Sequence, residues 1–289
     1  MRSLLFAPAS HPRHSEKVFG CGADAAILDL EDAVAIADKP AARGRAAAAL
    51  AVRRRGRTFV RINALETEFA FGDLLEVVRP GLDGIILPKA QSAEDVALAD
   101  WLVGQLEREH GLAPGAVELL PIVETARGVM NAATIAARSR RVRRLAFGAG
   151  DYVNDVGAEW TDGEEALALA RLQVAAAARA AGLAPPIDTA HTNIADAGSL
   201  ERAARRARTY GFGGKFCIHP SQVAAVNRAF TPGEAEVARA RRIVAAFGEA
   251  ERRGLAAIRV DGALVDYPIA LRAARMVRAV DEVRDGTAA

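Results

Sequence analysis

The feature that most constrains this chain is an alternation of a short apolar run with a longer stretch of helical period, repeated eight times between the first residues and about position 230. The runs read as strands at Ser3 to Phe6, Ala25 to Leu30, Thr58 to Ile62, Gly84 to Leu87, Val117 to Val123, Arg144 to Phe147, Pro186 to Thr189 and Lys215 to Ile218. Between them lie helix signals. In "DKPAARGRAAAALAVRR" Asp38 is placed to cap and Pro40 to fill the first turn, and in "SAEDVALADWLVGQLERE" Ser92 and Asp95 have capping-box spacing. Eight such units without an obvious linker predict an α/β fold, a (β/α)8 TIM barrel over residues 1–230 rather than two separate domains, with an open doubly wound sheet as the alternative.

Residues 231–289 break the alternation and read as a C-terminal helical and hairpin extension. Thr231, Pro232 and Glu234 spell a capping box before a long helix. A strand, a turn at Asp261 and Gly262, a second short strand and an amphipathic helix from about Pro268 follow.

At 289 residues and 51% hydrophobic composition the chain can bury the core that such a barrel needs. Lys plus Arg total 38 against 36 Asp plus Glu, and this net charge of +2 gives no reason to expect a nucleic-acid or membrane partner. The basic run "RSRRVRR" at 138–144 has no interleaved aromatics and precedes a strand, so it reads as a solvated face. Two cysteines, Cys21 and Cys217, make no disulfide framework, and the apolar part of "MRSLLFAPAS" is too short for a secretory signal. No apolar run approaches the roughly 20 residues that span a bilayer. A reduced, soluble, cytoplasmic protein is expected.

Barrel enzymes of this type carry their chemistry where strands end at the C-terminal face. Here the second run ends in Asp29, Glu31 and Asp32, the third in Arg61 and Asn63, the fourth in Pro88 and Lys89, and the fifth in Glu124. The sixth leads to Asp151 and the eighth to His219. Crowded carboxylates repel one another, and burial raises that cost unless cations compensate. No His or Cys spacing suits zinc, whereas Glu124 and Asp151 at neighbouring strand ends suit Mg2+ with open water positions. The alternatives are that Glu124 pairs with Arg127, that Asp151 only caps a helix, and that Lys89 is the Schiff-base lysine of a metal-free aldolase. The last leaves Glu124 and Asp151 without a task. His219 reads either as a substrate contact or as a loop cap beside Pro220.

Eight motifs occur in order: "RSLLFAP", "AAILDLEDAV", "VRIN", "LDGIILPKA", "PIVETARG", "FGAGDY", "GGKFCIHPSQ" and "VDGALVDYP". Together they cover nearly the whole chain, and it resembles the citrate lyase beta-subunit-like group of the aldolase/citrate lyase superfamily. The resemblance implies a Mg2+-dependent barrel, usually a homotrimer, that makes or breaks a carbon–carbon bond in a 3-hydroxyacyl thioester. Malyl-CoA and citramalyl-CoA lyases release acetyl-CoA or propionyl-CoA and a 2-oxo acid, whereas the citrate lyase subunit works on an acyl carrier protein.

Carried over, the resemblance makes Glu124 and Asp151 the metal ligands and Arg61 the group that binds the oxo-acid carboxylate and carbonyl. Asp29 and Glu31 orient Arg61 and metal-bound water, Lys89 borders the substrate, and Asp266 of "VDYP" is the catalytic acid or base brought from a neighbouring subunit. Two points depart from or refine that pattern. "GAGDY" stands where many relatives have a Thr-Glu-Asp type of sequence, so the second ligand rests on Asp151, with Asp155 its competitor. The retained "DGALVDYP" favours a stand-alone CoA-ester lyase over a carrier-dependent subunit.

Overall fold

The structure, a computed structural model, describes residues 1–52 and 56–284. Two compact units divide it, Met1–Phe230 and Thr231–Ala289.

The first unit is a closed barrel of eight parallel strands, each hydrogen-bonded to its sequence neighbours and the last to the first. They are β1 (Ser3–Pro8), β2 (Ala25–Asp29), β3 (Arg57–Arg61), β4 (Gly84–Leu87), β5 (Glu118–Val123), β6 (Ala146–Phe147), β7 (Ile187–Asp188) and β8 (Gly214–Cys217). All eight runs read from the sequence contain a strand, and the (β/α)8 barrel stands. The shortness of β7 has a local cause: Pro186 has no N–H to give the ladder.

Alternation along the strands divides the barrel unit's core in two. Leu4, Ile27, Phe59, Ile86, Leu120, Ile122, Ala146, Ile187 and Phe216 fill the barrel interior, while Leu5, Leu28, Val60, Ile85, Leu119 and Phe147 face the surrounding helices. Where apolar filling stops, ion pairs take over. Glu118, fully buried, is held between Arg57 at 2.8 Å and Arg144 at 3.0 Å. In the helix layer Lys215, Asp188, Arg171 and Glu164 form a buried chain of alternating charge, with links of 2.6, 2.8 and 2.8 Å. Arg141 of the basic run is similarly consumed, paired with Glu107 and Asp100.

Helix starts follow the sequence unevenly. Ser92 and Asp95 make a complete capping box on Ala93–Glu109. Asp38 does not cap by its side chain, because a 3-10 turn over Ile36–Asp38 already feeds Lys39–Leu50 and holds Asp38 in a helical conformation. The box expected at Thr231 is also displaced: the long helix runs Glu234–Arg252 with extended Gly233 as its N-cap and no side-chain cap bond.

In the second unit β9 (Ala257–Val260) pairs antiparallel with β10 (Ala263–Asp266). Their two-residue turn at Asp261 and Gly262 takes φ of +48° and +77°, the conformation such a hairpin demands. A helix at Tyr267–Arg284 follows, and Ile243, Phe247, Val265 and Ala273 form this unit's own core. Among the described residues no helix is long and apolar enough to cross a membrane, and Cys21 and Cys217 are both free thiols.

Gly84 opens β4 in close contact with the barrel interior, where a Cβ would lie 2.4 Å from the Phe59 ring and 2.9 Å from the Glu118 carbonyl. Gly84→Ala is expected to lower stability by about 1–3 kcal/mol through overpacking, measured as a reduced urea midpoint with unchanged slope.

Candidate active site

The loop after β2 is shaped by its own acid. Asp29, 1% exposed, accepts the amides of Glu31 at 3.0 Å and Ala33 at 3.3 Å, which turns the chain sharply as it leaves the strand. The same carboxylate is gripped by Arg61 at the end of β3 through Nε at 2.7 Å and Nη2 at 2.6 Å. This is the two-pronged geometry that makes arginine–carboxylate pairs strong and directional. Arg61 Nη1 also lies 2.8 Å from Glu31 and 3.4 Å from Asp32, and the guanidinium stacks 4.8 Å above the Phe6 ring. Burial alone would lower its pKa, but Asp29, Glu31 and Asp32 outweigh that and hold it above its ordinary value.

Lys89, in the turn after β4, has a left-handed φ of +49°, uncommon for a side chain with a Cβ. The conformation lets one residue reach two acids: its amide donates to Glu124 Oε1 at 2.7 Å and its ammonium to Glu31 Oε1 at 2.5 Å. Burial pulls the Lys89 ammonium down, yet Glu31, Asp32 and Glu124 raise it overall, so it stays firmly charged. A Schiff-base lysine must lose its proton to attack, and the metal-free aldolase reading is not favoured by this setting.

Glu124 follows β5 directly. Thr125 caps the next helix by accepting the Gly128 amide at 3.0 Å, which fixes where the strand stops and the carboxylate begins. Glu124 is 3% exposed, and burial first, then Asp151 and Glu31, push its carboxyl up to about 8. It forms no ion pair with Arg127 among the described residues. Gly148 leaves room for it, since a Cβ there would stand 2.2 Å from Glu124 Oε2. Asp151 sits in the first turn of Ala149–Val156 with no side-chain capping bond there, its side chain 40% exposed and 4.0 Å from the Lys89 ammonium. Its competitor Asp155 is occupied otherwise, accepting the Ala126 amide at 2.7 Å.

Asp29, Asp32, Arg61, Glu124 and Asp151 line one cavity of about 450 Å3, whereas Glu31 and Lys89 do not line it and reach it only through their contacts with Arg61 and Glu124. Phe6, Ile122, Trp160, Ala190, Phe216 and Ile218 form its apolar walls, which the strand-end rule did not single out because they belong to the core pattern. A second cavity of about 410 Å3 shares Trp160 and Thr192 but contains none of the strand-end acids. His219 lines neither cavity. It pairs with Ser221 at 2.8 Å in its own loop, as a loop cap does. Asp266 lies at the end of β10 in the second unit, its carboxylate accepting the Ile269 amide at 3.4 Å.

The donors fit a hard divalent cation. Glu124 and Asp151 offer carboxylate oxygens, and no group of three or more His, Cys, Asp or Glu among the described residues forms a protein-only cage. Mg2+ characteristically takes one or two carboxylates and fills its remaining positions with water and substrate oxygens. A cation would also relieve the repulsion that holds the Glu124 proton.

The profile of the HpcH/HpaI aldolase/citrate lyase family matches residues 2–220. The chain belongs to that family. The carbon–carbon lyase class read from the sequence stands with it. Its relatives include the citrate lyase subunit beta of Leuconostoc mesenteroides subsp. cremoris, 36% identical over 280 residues covering 96% of this chain and 92% of that protein. An L-malyl-CoA/beta-methylmalyl-CoA lyase of Cereibacter sphaeroides is 36% identical over 305 residues, covering 98% and 95%. Protein CitE of Mycobacterium tuberculosis, solved in complex with magnesium, acetoacetate and coenzyme A, superposes with a TM-score of 0.80 at 35% identity, covering 97% and 98%. One expectation is corrected here. An alignment covering 96% of the chain must run through most of residues 231–289, so possession of the extension does not separate CoA-ester lyases from citrate lyase subunits.

In metal-free protein the Glu124 pKa lies above its unfolded value, so folding favours the protonated form. Stability should therefore fall as pH rises from about 4.5 to about 8 and level off above that. Denaturation in EDTA should find Glu124→Gln equal to the parent near pH 4.5 and more stable by a margin that grows up to pH 8. A margin that does not change with pH contradicts the buried, repelled carboxylate.

Proposed function

We propose that this family member is a Mg2+-dependent lyase that cleaves a 3-hydroxyacyl-CoA thioester of the malyl-CoA or citramalyl-CoA type. The products are acetyl-CoA or propionyl-CoA and a 2-oxo acid. The observation that carries this reading is the meeting of a buried Glu124, Asp151 and a clamped Arg61 on one apolar-walled cavity.

Retro-Claisen cleavage requires loss of the hydroxyl proton, stabilisation of oxygen charge and protonation of the departing enolate. Glu124 and Asp151 would hold the magnesium, which when bound supplies Lewis acidity to the substrate's carboxylate and hydroxyl oxygens. Arg61 binds the carboxylate and the oxygen that becomes the oxo-acid carbonyl. Its orientation is set in advance by Asp29, so it need not reorganise as charge develops. Lys89 and Glu31 balance charge behind Arg61 and Glu124, while Phe6, Ile122 and Phe216 exclude water from the cavity.

Asp266 is assigned proton transfer at the acyl carbon, contributed by the second unit of a neighbouring subunit in a homotrimer. Exposed Leu264, Tyr267, Ile269 and Leu271 around it support burial of that face in an assembly. A second reading, a citrate lyase beta subunit acting on a thioester carried by an acyl carrier protein, draws on the full-length match to the Leuconostoc subunit and differs in the thioester's carrier.

Purified protein with malyl-CoA or citramalyl-CoA should release glyoxylate or pyruvate in Mg2+ and stop in EDTA. Activity only with an acyl carrier partner selects the second reading. Asp266→Asn should lose roughly 10²–10⁴-fold in kcat with little change in Tm. Mixing Asp266→Asn with Arg61→Ala chains should restore activity if the acid acts between subunits. Two inactive variants that remain inactive after exchange of subunits contradict that placement.

A further inference from the structure

Resting on the reading above, we infer that Lys39 is a positioning residue for Arg61, acting from beneath the acidic loop through Glu31. Lys39 is 7% exposed, and its ammonium donates to the carbonyls of Leu30 at 3.0 Å and Glu31 at 2.7 Å and to Asn63 Oδ1 at 2.5 Å. Those three acceptors use all three of its N–H groups. All are uncharged, and among the described residues no carboxylate lies within ion-pair distance of it.

Two consequences follow from that setting. The first is mechanical. Leu30 and Glu31 carry the chain from β2 into the acidic turn, and fixing their carbonyls fixes where the Glu31 carboxylate stands. Glu31 in turn touches Arg61 at 2.8 Å and Lys89 at 2.5 Å, so a shift of the loop reaches both cations. The second is electrostatic. Asp29, Glu31 and Asp32 bring three negative charges to the loop against two from Arg61 and Lys89, and Lys39 supplies a third positive charge from below.

The link is anchored from outside the barrel. Asn63 passes two hydrogen bonds to fully buried Asp73, at 2.9 Å from its amide and 2.7 Å from its side chain, and Arg43 holds the other Asp73 oxygen at 3.0 Å. The outer helix Ala70–Val77 thus braces the catalytic loop through Asp73, Asn63 and Lys39. None of these three lines the cavity.

The test uses Lys39→Met, with Lys39→Gln as a milder variant that keeps a donor, and Gly84→Ala, at the start of β4 and outside the cavity lining, as a destabilised control. Trp160 lines the cavity, and Trp101 lies exposed on Ala93–Glu109, so a Trp101→Phe background makes Trp160 the fluorescent reporter of oxo-acid binding. In Mg2+, the lysine variants should weaken pyruvate or glyoxylate binding roughly ten-fold and lower kcat roughly ten- to hundred-fold. Gly84→Ala should retain both values at a temperature where it is folded. In a double-mutant cycle, Lys39→Met with Glu31→Gln should lose no more than the larger single loss.

Lysine variants that bind and turn over like the parent, or a cycle that is additive, overturn the inference while leaving the lyase reading intact. A parent protein that binds neither oxo acid in Mg2+ overturns both.

Discussion

Everything at the barrel mouth depends on the clamp between Asp29 and Arg61. A carboxylate that is 1% exposed is costly unless its lone pairs are filled, and Asp29 fills them with two backbone amides and both prongs of a guanidinium. In one arrangement the acid folds the loop that follows β2 and aims the cation at the end of β3. Removing either partner would leave a buried charge unpaired, a change far more damaging than the net worth of the pair suggests. The clamp also sits on Phe6, whose ring lies 5.0 Å from Phe216, so the aim of Arg61 is tied to the packed interior beneath it.

Other buried carboxylates have cations of their own, and this makes Glu124 stand out. Glu118 has two arginines, and Asp188 has Arg171 and Lys215. Burial opposes the charge of Asp188 as well, yet its two cations hold the carboxyl below the usual range, while Glu124 is pushed up to about 8. The difference is partners rather than depth. Glu124 receives one backbone amide from Lys89, whose ammonium is spent on Glu31, and faces a second acid in Asp151. A structural carboxylate would have been given its counter-ion by the fold. One left short of charge beside a cavity is arranged for something that arrives.

The legible part of this chain was the part set by short-range rules. Strand runs bounded by turn residues, the Ser92 box and the Asp261–Gly262 turn depend on a few neighbouring residues and could be read directly. The strand-end rule then gathered Asp29, Glu31, Arg61, Lys89, Glu124 and Asp151 because a closed parallel barrel sends every strand end to one face. Local signals failed where a competing local structure intervened, as the 3-10 turn did at Asp38 and Gly233 did beyond Thr231. Lys39 was missed for another reason. It looks like an ordinary first-turn residue, and its three acceptors come from two loops 8 to 24 positions away. The walls Phe6, Trp160 and Phe216 carry no polar signal and are indistinguishable in sequence from core.

The same inventory of bonds explains why the proposed proton-transfer group is sought outside the mouth. Asp29 has four donors, Glu31 is held by Lys89 and Arg61, and Glu124 and Asp151 are committed to the proposed metal. Asp32, 60% exposed, lies 3.4 Å from Arg61, so a proton arriving there would also be felt by the clamp. An acid that must both hold a rigid charge pattern and exchange protons would disturb Arg61 each time it changed state. Placing the shuttle on a separately packed unit, as the assignment to Asp266 does, keeps the clamp electrostatically fixed while the proton moves elsewhere.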